Sequence, residues 1–160
     1  MSKEALPIRI DIVSDVVCPW CVIGFKQLEE ALSRLEGEVE ADIHWHPFEL
    51  NPMMPPEGQN LREHIAEKYG TDPKESPQMR ERLRRIGASL GFSFTYSDDM
   101  RMVNTFRAHQ LLFWAEQHGK KTELELALFE SFFSKQENVD DPEVLAAAAE
   151  GIGLDPTEAA

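Results

Sequence analysis

The hydrophobic period of this chain changes twice within its first 47 residues, and few folds accommodate that change. Residues 6–13 alternate, with Ile8, Ile10 and Ile12 falling on one face as they do in a strand. From Pro19 the apolar positions become Val22, Phe25, Leu28, Leu32 and Leu35, the three- and four-residue steps of a helix, and Gly37 offers a left-handed stop. Residues 39–46 alternate again, with Val39, Ala41, Ile43 and Trp45 inward and Glu40, Asp42, His44 and His46 outward, until Pro47 withdraws a ladder donor. Strand, helix and strand at this spacing predict a β-α-β unit, two parallel strands joined by a right-handed crossover.

The turn Ser14-Asp15-Val16-Val17 leads from the first strand to Cys18-Pro19-Trp20-Cys21, so the motif stands where strand hands over to helix. That placement puts Cys18 at the N-cap and Pro19 at the first helical position, where a missing N–H costs nothing. The free N–H groups of the first turn and the helix dipole favour a thiolate on Cys18, so its pKa is expected to be depressed. Cys21 lies one turn on, on the same face, as the more buried resolving thiol. These are the only two cysteines in the chain, a usage that points to chemistry rather than scaffolding. Two rival uses are weaker. A zinc site needs two more ligands, and His44-x-His46 has the wrong spacing for the second half. A structural disulfide across three residues gains little loop entropy.

Beyond the proline-broken loop after Pro47 the pattern is helical almost to the end. Asn60 caps a helix carrying Leu61, Ile65 and Tyr69, closed by Gly70; Ser76-Pro77 opens a second, closed by Gly91. Residues 92–96 read as a short extended piece. Asn104 is placed to cap a helix running to about His118, and Thr122-x-x-Glu125 reads as a capping box for the next. Asp141-Pro142 starts another. Phe129, Phe132, Phe133 and Trp114 are expected to form the core of this helical part, while His109 and His118 look like helix-surface histidines. Arg80, Arg82, Arg84 and Arg85 read as a solvated basic face, the alternative being a docking site for an acidic partner or an anionic thiol. The formal net charge of −13 disfavours nucleic-acid partners, and no apolar run approaches the roughly 18–20 residues of a membrane span. With charges in the first four positions and no apolar segment of signal type, a cytoplasmic location is expected.

Asp-Val-Val-Cys-Pro-Trp-Cys-Val-Ile-Gly at 15–24, Trp-His-Pro-Phe-Glu-Leu-Asn-Pro at 45–52 and Leu-Phe-Glu-Ser-Phe-Phe at 128–133 resemble the DsbA-like thioredoxin-fold family, and most of all its FrnE-type oxidoreductases. The resemblance runs through all 160 residues. It implies an α/β fold, a thioredoxin-like β-α-β core with a large helical insertion, divided here as 1–56 with the redox motif and 57–160 as insertion. It also implies a dithiol–disulfide oxidoreductase or isomerase acting on protein or small-molecule thiols without metal or organic cofactor. Cys18 would be the nucleophile, Cys21 the resolving cysteine, and Pro19 and Trp20 the dipeptide that tunes the potential. Phe48 and Asn51 are candidates to line a substrate groove, and Asn104 is a further candidate beside its role as a cap. Kappa-type glutathione transferases and related isomerases of the family carry serine at the position of Cys18, so the intact pair favours dithiol chemistry. A glutathione-dependent isomerase or transferase of the kappa type and a non-catalytic peptide- or partner-binding module are the alternatives.

Family members continue into a cis-proline loop, antiparallel strands and a closing helix, none of which is found in residues 1–160. Asp155-Pro156-Thr157-Glu158 is itself a helix-opening signal. The expectation is therefore an incomplete catalytic fold, or a homo-oligomer whose partner chains cover the exposed strand edges.

Overall fold

The computed structural model describes residues 4–72 and 74–159. β1 (Leu6–Ser14) and β2 (Val39–Pro47) pair in parallel from Leu6↔Val39 to Ser14↔Pro47, with α1 (Pro19–Arg34) as the crossover. The predicted β-α-β unit is present, with both strands starting where expected and each running one residue longer. Alternation survives in the burial: Ile8, Ile10 and Ile12 are half-covered while Arg9 and Asp11 are exposed, and Trp45 is the most deeply buried position of β2. α1 ends at Arg34, and Leu35 rather than Gly37 occupies its C-cap; Gly37, at φ +81°, turns the chain back toward β2.

The remainder is helical: α2 (Leu61–Tyr69), α3 (Ser76–Ser89), α4 (Phe106–Gln117), α5 (Lys121–Phe129), α6 (Pro142–Gly151) and a final turn, α7 (Pro156–Ala159). A minimal antiparallel pair, β3 (Gln59–Asn60) with β4 (Arg101–Met102), brackets α2 and α3. α2 has the caps expected of it, Asn60 Oδ1 accepting from the Glu63 N–H and Gly70 in the left-handed region. Asp141 likewise caps α6 by accepting from the Glu143 N–H.

Two local expectations are corrected by tertiary contacts. Thr122 does not cap α5, because the helix already begins at Lys121; its hydroxyl instead accepts the Trp45 indole N–H at 2.9 Å, and Glu125 is buried. An indole N–H taken out of water needs an acceptor, and that demand outweighs one helix-end bond. α4 begins one residue later than expected: Thr105 is its N-cap, while Asn104 accepts the Phe106 N–H and donates to the Met54 carbonyl. Residues 92–96 find no ladder partner; Thr95 is held by the Phe133 and Ser134 carbonyls.

Trp45 joins the sheet to the helices. Its ring lies 5.0 Å from Phe25 of α1 and 6.3 Å from Phe129 of α5, and Lys121 donates to its carbonyl at 2.8 Å. α5 passes into a π-helical turn, Glu130–Ser134, whose extra residue per turn lets the consecutive rings Phe132 and Phe133 both reach the interior. Phe133 meets Phe94 edge to face at 5.2 Å, and Phe94 in turn presses on Gly87 of α3. No helix among the described residues is long and apolar enough to cross a membrane.

A Cβ at position 87 would collide with the Phe94 ring and stand 2.7 Å from the Phe92 carbonyl oxygen, a backbone atom that cannot rotate away. Gly87→Ala is therefore expected to lower stability by about 1–3 kcal/mol despite alanine's better helix propensity, and urea unfolding measures it.

Candidate active site

Cys18 stands at the N-cap of α1 with extended backbone (φ −96°, ψ 112°), and Pro19 follows at the first helical position. Its carbonyl accepts the N–H groups of Cys21 (3.2 Å) and Val22 (3.4 Å), and its own N–H donates to the Asp15 carbonyl. The side chain makes no cap bond, which leaves the sulfur free for other partners. Both thiols are free and half-buried. They face different surroundings: Cys18, Pro19 and Trp20 line a cavity of about 670 Å³, whereas Cys21 is not part of that lining.

The two sulfurs share a hydrogen bond, and its first consequence is a split in their acidities. One proton leaves the pair readily and the other is held. With Cys18 as the donor, Cys21 is brought down to about 6, aided by the Asp15 N–H and the Ser14 hydroxyl and opposed by burial. Cys18 is pushed up by the same hydrogen bond and by burial, even though the Cys21 and Trp20 N–H groups of the helix start act to lower it. The first charge therefore belongs to the pair: the Asp15 N–H favours it on Cys21, and the Cys21 and Trp20 N–H groups favour it on Cys18. The helix start does act on Cys18 as the sequence implies, but a neighbouring thiol at hydrogen-bond range acts more strongly. A half-turn of the shared proton exchanges the roles.

Behind the pair lies a buried polar cluster that the sequence reading passed over. The Asp15 side chain is 1% exposed and accepts three hydrogen bonds, from the Val16 N–H (2.9 Å), the Leu50 N–H (2.8 Å) and His109 Nε2 (3.1 Å). His109 Nε2 also meets the Phe48 carbonyl at 3.1 Å. Two acceptors around one ring nitrogen require a proton there. Burial lowers the His109 pKa, but the hydrogen bond and charge of Asp15, with the charge of Glu125, outweigh it and raise the pKa overall. His109 is therefore no surface histidine. The signal was available, since it lies three residues before Leu112 on the buried face of α4. Glu125 occupies the equivalent place before Leu128 on α5 and is 2% exposed, with Oε2 unpartnered. Burial pushes it up to about 7, His109 and Lys121 pull it down, and Asp15 and Cys21 raise it further. The Ser14 hydroxyl is also fully buried, with no oxygen or nitrogen partner, beside Cys21.

The remaining candidates divide. Asn51 lines the cavity, and its Oδ1 receives Lys68 Nζ at 2.7 Å and faces His64 Nε2 at 3.0 Å. Phe48 is half-exposed and outside the lining; its backbone does the structural work, the N–H donating to the Ser14 carbonyl. Asn104 also lies outside the lining and ties α4 to the loop at Met54. His44 and His46 pair with Asp42 and Asp11, each at 2.7 Å. The arginine face of α3 is not simply solvated: Arg80 and Arg84 flank the Tyr96 ring at 5.5 and 5.9 Å, and Arg82 lies 5.8 Å from the Trp20 ring.

Residues 9–160 match the family model of the DSBA-like thioredoxin domain. The uncharacterized protein YwbO of Bacillus subtilis (strain 168) is 27% identical over 150 residues, covering 94% of this chain and 68% of that one. The crystal structure of a probable DsbA oxidoreductase from Streptomyces coelicolor superposes with a TM-score of 0.87 at 29% identity, over 94% of this chain and 65% of that one. A putative protein disulfide isomerase from Nitrosomonas europaea shares the fold, with a TM-score of 0.61 at 16% identity over 93% of this chain and 66% of that one. The chain thus spans about two thirds of the length of the relatives it matches.

Glu125 makes stability depend on pH. Its folded pKa of about 7 lies above the ordinary 4.5, so the folded state holds a proton that the unfolded chain gives up between those values. That contribution is complete below pH ~4.5 and is lost as pH rises through ~7, amounting to roughly 3 kcal/mol. The raised His109 pKa has the same sign, its stabilisation being lost as pH rises through the folded value. Urea unfolding at about pH 5 and about pH 8 should show wild type losing stability at the higher pH. Glu125→Gln should lose roughly 3 kcal/mol less across the same interval.

Proposed function

The chain belongs to the DSBA-like thioredoxin domain family, and from that premise we propose that it is a dithiol–disulfide oxidoreductase whose redox centre is Cys18-Pro19-Trp20-Cys21, with the FrnE-type enzymes as the nearest branch. The observation that carries this reading is the asymmetry of the pair: Cys18 lines the cavity at a helix N-cap, while Cys21 lies outside that lining under the influence of Ser14 and Asp15.

In the reducing direction Cys18, as thiolate, attacks one sulfur of a disulfide RSSR and expels RS⁻, forming a mixed disulfide. Cys21 then attacks the Cys18 sulfur, expels the second RS⁻ and closes the internal disulfide; its proton passes to a released thiolate. The protein is oxidised by two electrons and the substrate reduced by two. The reverse sequence oxidises a dithiol. The low first pKa of the pair supplies a thiolate at neutral pH, and the Cys21 and Trp20 N–H groups stabilise charge when it resides on Cys18. Burial keeps Glu125 largely protonated up to near neutrality, which limits negative charge behind Cys21 when that sulfur is the thiolate. Trp20 and Pro19 set how the first turn meets the sulfurs, and Asn51 is placed to contact substrate within the cavity.

Reduction of a protein disulfide by the thiol-reduced chain tests this. Cys18→Ser should abolish turnover, whereas Cys21→Ser should retain the first attack and accumulate mixed disulfides visible by mass spectrometry. Mixed disulfides forming on Cys21 in Cys18→Ser at the wild-type rate would reverse the assignment.

A further inference from the structure

The cavity beside Cys18 combines apolar walls with an excess of cationic groups, in a chain that is strongly acidic elsewhere. Leu61 and Ile65 of α2 and Met79 and Leu83 of α3 line it. Its charged lining residues are Arg62, Lys68, Arg80 and Arg82 against the single carboxylate of Glu75. The whole chain has 29 acidic and 16 basic residues, so this surface inverts the balance of the molecule. Asp98, outside the lining, sits 3.5 Å from both Arg62 and Arg80 and offsets one charge between them. Lys68 and Arg82 have no carboxylate within salt-bridge distance among the described residues. Lys68 is held by two neutral acceptors, the Leu50 carbonyl and Asn51 Oδ1, each at 2.7 Å, and Arg82 lies over the Trp20 ring, in the lining shared with Cys18.

We infer that the cavity selects small-molecule thiols and disulfides that carry a carboxylate on an apolar body, Lys68 and Arg82 receiving the carboxylate while Cys18 exchanges with the sulfur. The inference rests on the oxidoreductase reading above. A volume of about 670 Å³ is that of a small-ligand site. Lys68 and Arg82 are both exposed, so the attraction they offer an anion is one that salt screens, on a molecule whose net charge otherwise repels it. The exchange balances as before: the reduced pair, holding one proton, and RSSR give the Cys18–Cys21 disulfide, RS⁻ and RSH.

Two aromatic disulfides of matched shape separate the outcomes, dithiobis(nitrobenzoate) and its uncharged bis-carboxamide. Each is mixed with thiol-reduced full chain, and its rate is divided by its rate with a free small thiol to remove intrinsic reactivity. Wild type should prefer the carboxylate by about tenfold or more. Lys68→Gln with Arg82→Gln should bring the ratio close to one, while Arg34→Gln, a change of charge on the far end of α1, should keep it. A second measurement needs no variant: the wild-type preference should shrink between about 0.01 M and about 1 M ionic strength, as the Debye length falls from about 30 Å to about 3 Å. A wild-type ratio near one, or one that neither the double substitution nor salt reduces, overturns the inference and leaves the redox assignment standing. Failure of both disulfides to react faster with the native chain than with the urea-unfolded one overturns the oxidoreductase reading itself.

Discussion

A single buried carboxylate organises the surroundings of the Cys18-Pro19-Trp20-Cys21 motif. Asp15 is the point at which the end of β1, the loop after β2 and helix α4 meet, through hydrogen bonds to Val16, Leu50 and His109. A carboxylate this deeply buried is tolerated only because every bond is made and a basic group stands opposite. The consequence is positional. The turn that delivers Cys18 to the helix start cannot shift without unmaking bonds to two distant segments, so the thiol pair is held where strand and helix place it.

The same arrangement governs the electrostatics behind the pair. Asp15 and Glu125, both buried, and a thiolate on the half-buried Cys21 act on one another. His109 and Lys121 supply the opposing charge, and burial above all keeps the proton on Glu125 to about pH 7. The protonation of a helix outside the β-α-β unit is in this way coupled to that of the thiols. Trp45 provides the mechanical part of that link, since its indole bonds to Thr122 and its carbonyl to Lys121, fixing the first turn of α5 against β2.

The cavity has a different origin. α2 and α3 come from the segment after the second strand, and their packing rests on the Phe94–Phe133 contact and on the π-helical turn that presents Phe132 and Phe133 together. Arginines that sequence spacing assigns to a solvated face become part of a wall because Tyr96 and Trp20 offer them aromatic surfaces. Cationic character in the cavity that Cys18 lines is thus produced by packing between α3 and the motif's own tryptophan.

Local pattern alone determined the β-α-β unit, the placement of Cys18-Pro19-Trp20-Cys21 at its strand–helix junction, and the caps at Asn60, Gly70 and Asp141. Each of these depends on residues within a few positions of one another, so period and composition carry the information. Tertiary structure decided the rest. Asp15 looks like a turn residue until His109, 94 positions away, is brought to it, and Thr122 looks like a cap until the Trp45 indole claims its hydroxyl across 77 positions. The division of protons between Cys18 and Cys21 belongs to the same class: the helix start is legible in the sequence, but the hydrogen bond between the sulfurs, and the groups buried behind them, exist only once the chain has folded. Long-range pairing of polar groups leaves no periodic trace, because each partner satisfies its neighbour in space and not its neighbour in sequence.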